Sequence, residues 1–281
     1  MPELPEVETV VRQVRPLVVG RTILAARLFG RDVLARGTPR AFCTALAGRR
    51  ITGVRRRAKY FVLDLDDGRM LVGHLRMTGR LYVASEPDPL RTRARFDLDD
   101  GRLLLFTDVR KFGRLQLART LEEALPPLGP EPLDGVLDGK WMAEALAAKR
   151  RMLKPLLLDQ SFVAGLGNIY VDESLHRAGL HPLRASDAVP RVRAHALAAA
   201  IRSVLSAAIA AEGSSFDAFY RTPEGRPGAF QDEFAVYGRE GQPCRACGSK
   251  IRRIVVGQRG THFCPRCQPP PRRAGHMRRS P

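Results

Sequence analysis

Four of the five cysteines fall in two Cys-x2-Cys pairs, Cys244/Cys247 and Cys264/Cys267, with 16 residues between the pairs. Each pair suits a tight knuckle that aims two sulfurs at one ion, and four thiolates close a tetrahedral shell around Zn²⁺. A closed shell has no open position for a reactant, so the expected ion is one structural zinc. Paired spacing of this kind points to a metal rather than to disulfides. Between the knuckles, 251–256 and 261–264 read as two strands, with 257–260 as their turn and Arg259 at its tip. From Gly241 to Pro281 there are ten Lys/Arg and no Asp or Glu, a module that faces phosphate on charge alone. Cys43 stands apart among apolar residues and is expected to be a small buried side chain.

The rest of the chain shares that charge. It holds 47 Lys+Arg against 29 Asp+Glu, a formal net charge of +18 over 281 residues. A polyanion is the natural partner of such a surface, and nucleic acid leads the candidates. Hydrophobic residues make up 44%, enough to build real cores, so wholesale disorder is excluded. The most apolar long stretch, 194–211, contains His195 and Arg202 and is mostly alanine. It suits a packed helix rather than a membrane span. No basic region followed by an apolar run opens the sequence, so no secretory signal is expected.

The first segment reads as a helix. Pro5 fits its first helical position, Glu6 and Glu8 suit the positive end of its dipole, Val7, Val10, Val11, Val14 and Val18 recur at helical spacing, and Gly20 is a plausible stop. Strand signals then run to about residue 118. Within them Asp64-Leu-Asp-Asp-Gly-Arg69 recurs as Asp97-Leu-Asp-Asp-Gly-Arg102, a shift of 33. Asp-Gly between apolar runs is hairpin chemistry, and a duplicated hairpin suggests two facing sheets. Pro126, Pro127, Pro130 and Pro132 mark 119–140 as an interdomain linker. A helical pattern follows from Trp141, broken at 165–168 and 179–190. Residues 213–230 form a Gly- and Pro-rich loop, of a length that is usually functional or disordered.

Pro2 has a side chain small enough for Met1 to be removed, which would leave a secondary amine at the N-terminus. An α-amine has a reference pKa of about 8, against about 10.4 for lysine, so a usable fraction is unprotonated near pH 7. Such an amine can attack an anomeric carbon and become an iminium, with Glu3 tethered beside it to move protons.

The opening Met1-Pro-Glu-Leu-Pro-Glu-Val-Glu-Thr-Val10 is followed in order by Arg57-Ala-Lys-Tyr60, Gly73-His-Leu-Arg-Met-Thr-Gly79, Asp108-Val-Arg-Lys-Phe-Gly113, Gly165-Leu-Gly-Asn-Ile-Tyr170 and the four-cysteine module. Together these resemble the formamidopyrimidine-DNA glycosylases, bacterial base-excision enzymes for oxidised purines, over about residues 1–268. The resemblance implies Pro2 as the nucleophile that displaces the damaged base and holds the sugar as a Schiff base. It implies Glu3 as proton shuttle, Glu6 as supporting carboxylate and Lys59 as the lysine reaching the lesion and its phosphate. His74, Asn168 and Arg259 match phosphate grips, and Arg93 and Lys149 fall near further phosphate contacts. Arg259 is also implicated in proton donation during strand elimination, although a guanidinium stays protonated. Base removal requires the nucleotide to leave the stack. Met77 and Phe112 would wedge the vacated space while Arg110 pairs with the widowed cytosine. The 33-residue repeat places Arg110 at the position equivalent to Met77. The loop 213–230 resembles the purine-lesion recognition loop, with Ser215, Phe216, Tyr220 and Thr222 available to line it.

The expected protein is therefore α+β. An N-terminal helix and β-sandwich occupy 1–118, and the linker 119–140 follows. A helical helix–two-turn–helix domain occupies 141–240, then a zinc finger at 241–268 and a disordered basic tail at 269–281. Its expected activity is that of a bifunctional DNA glycosylase/AP lyase on 8-oxoguanine and formamidopyrimidines in duplex DNA, with β,δ-elimination. It is expected to act as a cytoplasmic, nucleoid-associated bacterial monomer. One alternative is an endonuclease VIII-type enzyme for oxidised pyrimidines. The Leu4 start, the Met77/Arg110/Phe112 set and the Gly-rich loop favour the purine enzyme. The other, a zinc-ribbon DNA-binding protein without catalysis, would be expected to have lost Pro2 or Glu3, and both are present.

Overall fold

The computed structural model describes residues 1–216 and 220–271. The tail expected at 269–281 therefore lies mostly outside the described residues, as do positions 217–219 of the 213–230 loop. The chain forms two compact units, Met1–Glu131 with Leu205–Glu233, and Pro132–Val204 with Phe234–Pro281.

The first unit opens with α1 (Leu4–Val18), whose valines at 7, 10, 11, 14 and 18 are all buried. Two sets of strands follow, β1 (Thr22–Leu28), β2 (Arg49–Arg57), β3 (Tyr60–Leu65) and β4 (Met70–His74), then β5 (Gly79–Ala84), β6 (Thr92–Leu98), β7 (Leu103–Asp108) and β8 (Arg114–Ala118). A short helix, α2 (Pro39–Leu46), lies between β1 and β2 and is capped by the Thr38 side chain. Cys43 on it is half-buried against the core.

Hydrogen bonding runs β5-β7-β6-β1-β2-β3-β4-β8. The β1–β2 junction is only two residue pairs long, Thr22↔Arg50 and Ile23↔Arg49, so the ladder folds over there into two four-stranded layers. Phe61 from one layer meets Phe106 from the other at 6.2 Å between ring centroids. Phe61, Leu63 and Leu71 share one buried cluster with Phe96, Leu104 and Phe106. This is the expected sandwich.

The duplicated hairpins are the β3–β4 and β6–β7 turns, and they repeat in detail. Gly68 and Gly101 have φ of +78° and +81°, where a side chain would be strained. Arg69 and Arg102 each donate their backbone N–H to the Asp two residues back, both at 3.1 Å.

The second unit is helical before it is β. After α3 (Leu121–Ala124) in the first unit come α4 (Gly139–Ala147), α5 (Leu153–Leu158), α6 (Asn168–Arg177) and α7 (Arg191–Ala210), the last running across the unit boundary. Among described residues, α7 is the helix long and apolar enough to cross a membrane, but it buries Leu197, Ile201, Leu205 and Ala208 as a packed helix does. Its last strands among the described residues form the hairpin β9 (Arg252–Val256) and β10 (Arg259–Phe263). Val256 pairs with Arg259, so the turn is only Gly257-Gln258, with φ of +55° and +61°. That is the geometry of a two-residue type I′ turn. The turn is tighter than the sequence suggested, and Arg259 is the first strand residue beyond it.

Candidate active site and metal centre

In the first unit, Pro2, Glu3 and Glu6 are buried at the head of α1. The helix starts at Leu4, one residue ahead of the expected Pro5, and the Glu6 Oε2 accepts the Glu3 backbone N–H at 2.8 Å. That bond fixes the peptide following Pro2. Met1 lines a cavity of about 370 Å³ together with Arg76, Met77, Phe112 and Arg114. The N-terminus and the two expected wedge residues thus open onto one space.

Lys59 is buried in the two-residue turn between β2 and β3, where Arg57 pairs with Tyr60. Ala58 carries φ of +51°, strained for a residue with a Cβ. Glu131 holds this turn in place. Its Oε1 accepts the Ala58 N–H at 2.6 Å and Arg57 Nη1 at 2.8 Å, and its Oε2 accepts Arg56 Nη1 at 2.6 Å. Burial alone would push the Glu131 carboxyl up, but Arg56, the Ala58 N–H and Arg57 hold it below the usual range. Sequence reading passed over Glu131. The available signal was a lone carboxylate in the proline-rich stretch Gly129-Pro-Glu-Pro132.

His74 pairs with Tyr60 across β3–β4, and the two rings meet edge to face at 4.6 Å. Its Nδ1 accepts the Arg76 N–H at 2.9 Å, which assigns the ring proton to Nε2. Burial, reinforced by the charges of Arg76 and Lys59, pushes its pKa down to about 3. His74 is therefore a neutral N–H donor, a suitable phosphate ligand that brings no charge of its own.

The expected wedge residues come together. Arg110 Nη1 lies 3.3 Å from Met77 Sδ, and its guanidinium stacks 4.8 Å from the centre of the exposed Phe112 ring. Their loops share one buried carboxylate, Asp108. Its Oδ1 accepts from the Thr78 hydroxyl and, at 3.1 Å, from the Arg110 N–H. Its Oδ2 accepts the Gly113 N–H at 2.7 Å. A Cβ on Gly113 would fall 2.5 Å from the Phe106 ring, so only glycine closes this loop onto the core.

Other expected residues are placed differently. Arg93 donates to both oxygens of Asp32, at 2.6 and 2.8 Å, and would have to leave that carboxylate to reach DNA. In the 213–230 loop, Phe216 is exposed, Ser215 is half-buried, and Tyr220 and Thr222 are buried, Tyr220 within the sandwich core.

In the second unit, Asn168 begins α6 after Gly167, where backbone N–H groups and the helix dipole favour an anion. Its Nδ2 donates to the Gly260 carbonyl at 3.0 Å, while its buried Oδ1 has no partner among the described residues. The Arg259 strand is held to α6 by an ion pair with no exposed surface. Lys154 Nζ reaches Asp172 Oδ1 at 2.7 Å and donates to the Gly260 carbonyl at 3.0 Å. Asp172 Oδ2 accepts the His262 N–H at 2.9 Å. Arg259 itself is exposed, as is Lys149. Lys154 and Asp172 also escaped the sequence reading. A lysine inside an apolar run, before Pro155, was the trace they left.

The Sγ atoms of Cys244, Cys247, Cys264 and Cys267 lie within 4.8 Å of one another. Two contacts are 3.4 Å (Cys247–Cys264) and 3.9 Å (Cys244–Cys267). A tetrahedron with Zn–S of about 2.3 Å has S···S edges of about 3.8 Å, so the set fits zinc. With four thiolates the shell is closed, and the zinc is structural. His176 Nε2 lies 3.6 Å from Cys244 Sγ, linking α6 to the metal centre.

Comparison with known proteins agrees along the chain. The formamidopyrimidine-DNA glycosylase N-terminal domain matches residues 1–115, the formamidopyrimidine-DNA glycosylase H2TH domain 128–219, and the zinc finger found in FPG and IleRS 241–270. The formamidopyrimidine-DNA glycosylase of Heliobacterium modesticaldum is 49% identical over 278 residues, covering 95% of this chain and all of that one. That of Thermus thermophilus is 48% identical over 274 residues, 95% of this chain and 98% of that protein. The crystal structure of MutM (Fpg) from Thermus thermophilus superposes with a TM-score of 0.85 at 45% identity, covering 95% and 98% of the two chains. Lactococcus lactis Fpg in complex with abasic-site DNA superposes with a TM-score of 0.87 at 37% identity, covering 96% and 100%. The motifs, the fold and these matches lead to one conclusion: the chain belongs to the formamidopyrimidine-DNA glycosylase family.

Proposed function

We propose that the protein is a bifunctional DNA glycosylase/AP lyase of base excision repair that removes oxidised purines from duplex DNA. The observation that carries this reading is the 370 Å³ cavity shared by Met1, Met77 and Phe112. Removal of Met1 would leave the Pro2 secondary amine at that cavity, beside the groups proposed to fill the space of a flipped nucleotide.

The Pro2 nitrogen attacks the anomeric carbon as the base leaves, and the sugar opens to an iminium. Glu3 moves the proton that ring opening requires. The iminium acidifies the neighbouring carbon, which drives β-elimination of the 3′ phosphate and δ-elimination of the 5′ phosphate. Lys59, held by the Glu131-braced turn, approaches the lesion and its phosphate. His74 donates Nε2–H to phosphate in the first unit, and Asn168, Arg259 and Lys149 serve as grips in the second. The protein is therefore DNA-associated in the cell, and in a bacterium that means the nucleoid. Zinc supplies no reactive position; it holds the finger that carries Arg259.

Relatives in this family have been captured with Fapy-dG and with abasic sites in DNA, which supports an oxidised purine as substrate. Excision assays on duplexes carrying 8-oxoguanine opposite cytosine and thymine glycol opposite adenine test the reading. Preferential release of 8-oxoguanine is expected. Preference for thymine glycol would move the protein to the pyrimidine branch.

A further inference from the structure

Glu6 does more than cap α1. It is almost wholly buried, and both of its carboxylate oxygens are committed to backbone N–H groups from distant parts of the first unit. Oε2 accepts from Glu3, one peptide away from Pro2, at 2.8 Å. Oε1 accepts from Ser214, at the foot of the 213–230 loop, also at 2.8 Å. Gly213 fits against it with φ of +82°, and a Cβ there would fall 2.9 Å from Glu6 Cγ and Oε1. The foot is itself fixed, since Gly213 N–H donates to Ala208 O at 2.7 Å and Phe230 N–H to Gly213 O at 3.0 Å. A second tie runs from Gln13 on α1 to Glu212 at 2.8 Å. Farther along the loop, the Tyr220 hydroxyl donates to the Glu6 carbonyl at 3.4 Å from within the core.

From this arrangement we propose that Glu6 is a positioning residue that couples the foot of the 213–230 loop to the N-terminal amine. One buried carboxylate joins two charge-assisted hydrogen bonds, so displacement of Ser214 is transmitted to the Glu3 N–H and thence to Pro2. Coupling of this kind is reciprocal: a loop settled on a damaged base favours the placed amine, and a placed amine favours the settled loop. The inference rests on Pro2 acting as the nucleophile, and it adds a consequence which that role alone does not carry. A disturbed loop foot should slow chemistry at an abasic site, where no base exists for the loop to read.

The test measures borohydride trapping and strand cleavage under single turnover, on duplexes carrying an abasic site or 8-oxoguanine, together with affinity for the abasic duplex. Full-length wild type, Gly213→Ala, Glu6→Gln and the loop-tip control Glu224→Ala are compared. Gly213→Ala pushes the foot against Glu6. Glu6→Gln keeps the size but has only one oxygen for two donors. Both should trap and cleave the abasic site about ten- to hundredfold more slowly, as for an ångström-scale misplacement, with affinity unchanged. Glu224→Ala should trap at the wild-type rate. Should Gly213→Ala fail to melt cooperatively, Glu6→Gln alone decides. Abasic-site trapping at the wild-type rate by folded Gly213→Ala or by Glu6→Gln, with only 8-oxoguanine release slowed, would overturn the coupling and leave the Schiff-base reading intact. Absence of trapping by wild type lacking Met1 would instead overturn the Schiff-base reading, and the coupling with it.

Discussion

His74 depends for its role on being neutral. Its imidazole has a pKa of about 3 in the fold against 6.5 when free, because burial and two nearby cations oppose its charge. The unfolded chain therefore binds the proton first as pH falls. The stabilising contribution is fully present above about 6.5 and is lost progressively as pH falls toward 3. Melting temperatures measured from pH 7.5 to 4.5 should fall more steeply for wild type than for His74→Asn; parallel curves would mean that the ring is not buried neutral. Lys59 depends instead on a brace. Glu131→Gln weakens the ionic contacts to Arg56 and Arg57 while keeping one acceptor for the Ala58 N–H. It should cost about 1–3 kcal/mol in denaturant unfolding and slow excision through a displaced Lys59. Unchanged excision would separate the brace from the lysine. The two residues were unequally legible. Lys59 stood out as one of six lysines in an arginine-rich chain, inside a family motif. Glu131 lies 73 positions from the N–H it holds, and no local pattern records a partner at that distance. Asp172 and Lys154 were hidden for the same reason, whereas valines at helical spacing announced α1 directly.

Among elements, the duplication explains how Met77 and Arg110 come together. The two repeats are β3-β4-β5 and β6-β7-β8, but the third strand of each pairs with the other repeat, β5 with β7 and β8 with β4. The exchange brings the equivalent loops before β5 and β8 to one edge of the sandwich, where Met77 and Arg110 touch. The hairpins and the 33-residue offset were visible in sequence; the exchange was not, because strand partners are set by tertiary packing. Arg110 and Arg259 should separate by function. Arg259→Ala removes one phosphate contact and should flatten the log–log salt dependence of duplex binding by about one unit, on damaged and undamaged DNA alike. Arg110→Ala should leave that slope nearly unchanged and relax the preference for cytosine over adenine opposite the lesion, by roughly 1–3 kcal/mol. Excision opposite each base at two salt concentrations measures both. A shifted salt slope with an intact base ratio in Arg110→Ala would make Arg110 another phosphate clamp.

For the whole molecule, the two units differ in what holds them together. The sandwich has a large apolar core of its own, whereas the finger's small cluster is built from Val236, Ile251 and the cysteines themselves. Metal binding should therefore supply much of the finger's folding energy. Chelation, or Cys247→Ser, should abolish DNA binding while the sandwich remains folded by circular dichroism; full affinity in verified zinc-free protein would contradict this. The proposed chemistry turns on the amine that Met1 covers. Protein whose N-terminal mass shows Pro2 as the first residue should be trapped covalently on 8-oxoguanine duplex by borohydride. Protein shown by mass to retain Met1, in which the Pro2 nitrogen is an amide, should not be trapped. Equal trapping by the two preparations would rule out the Pro2 amine as the nucleophile.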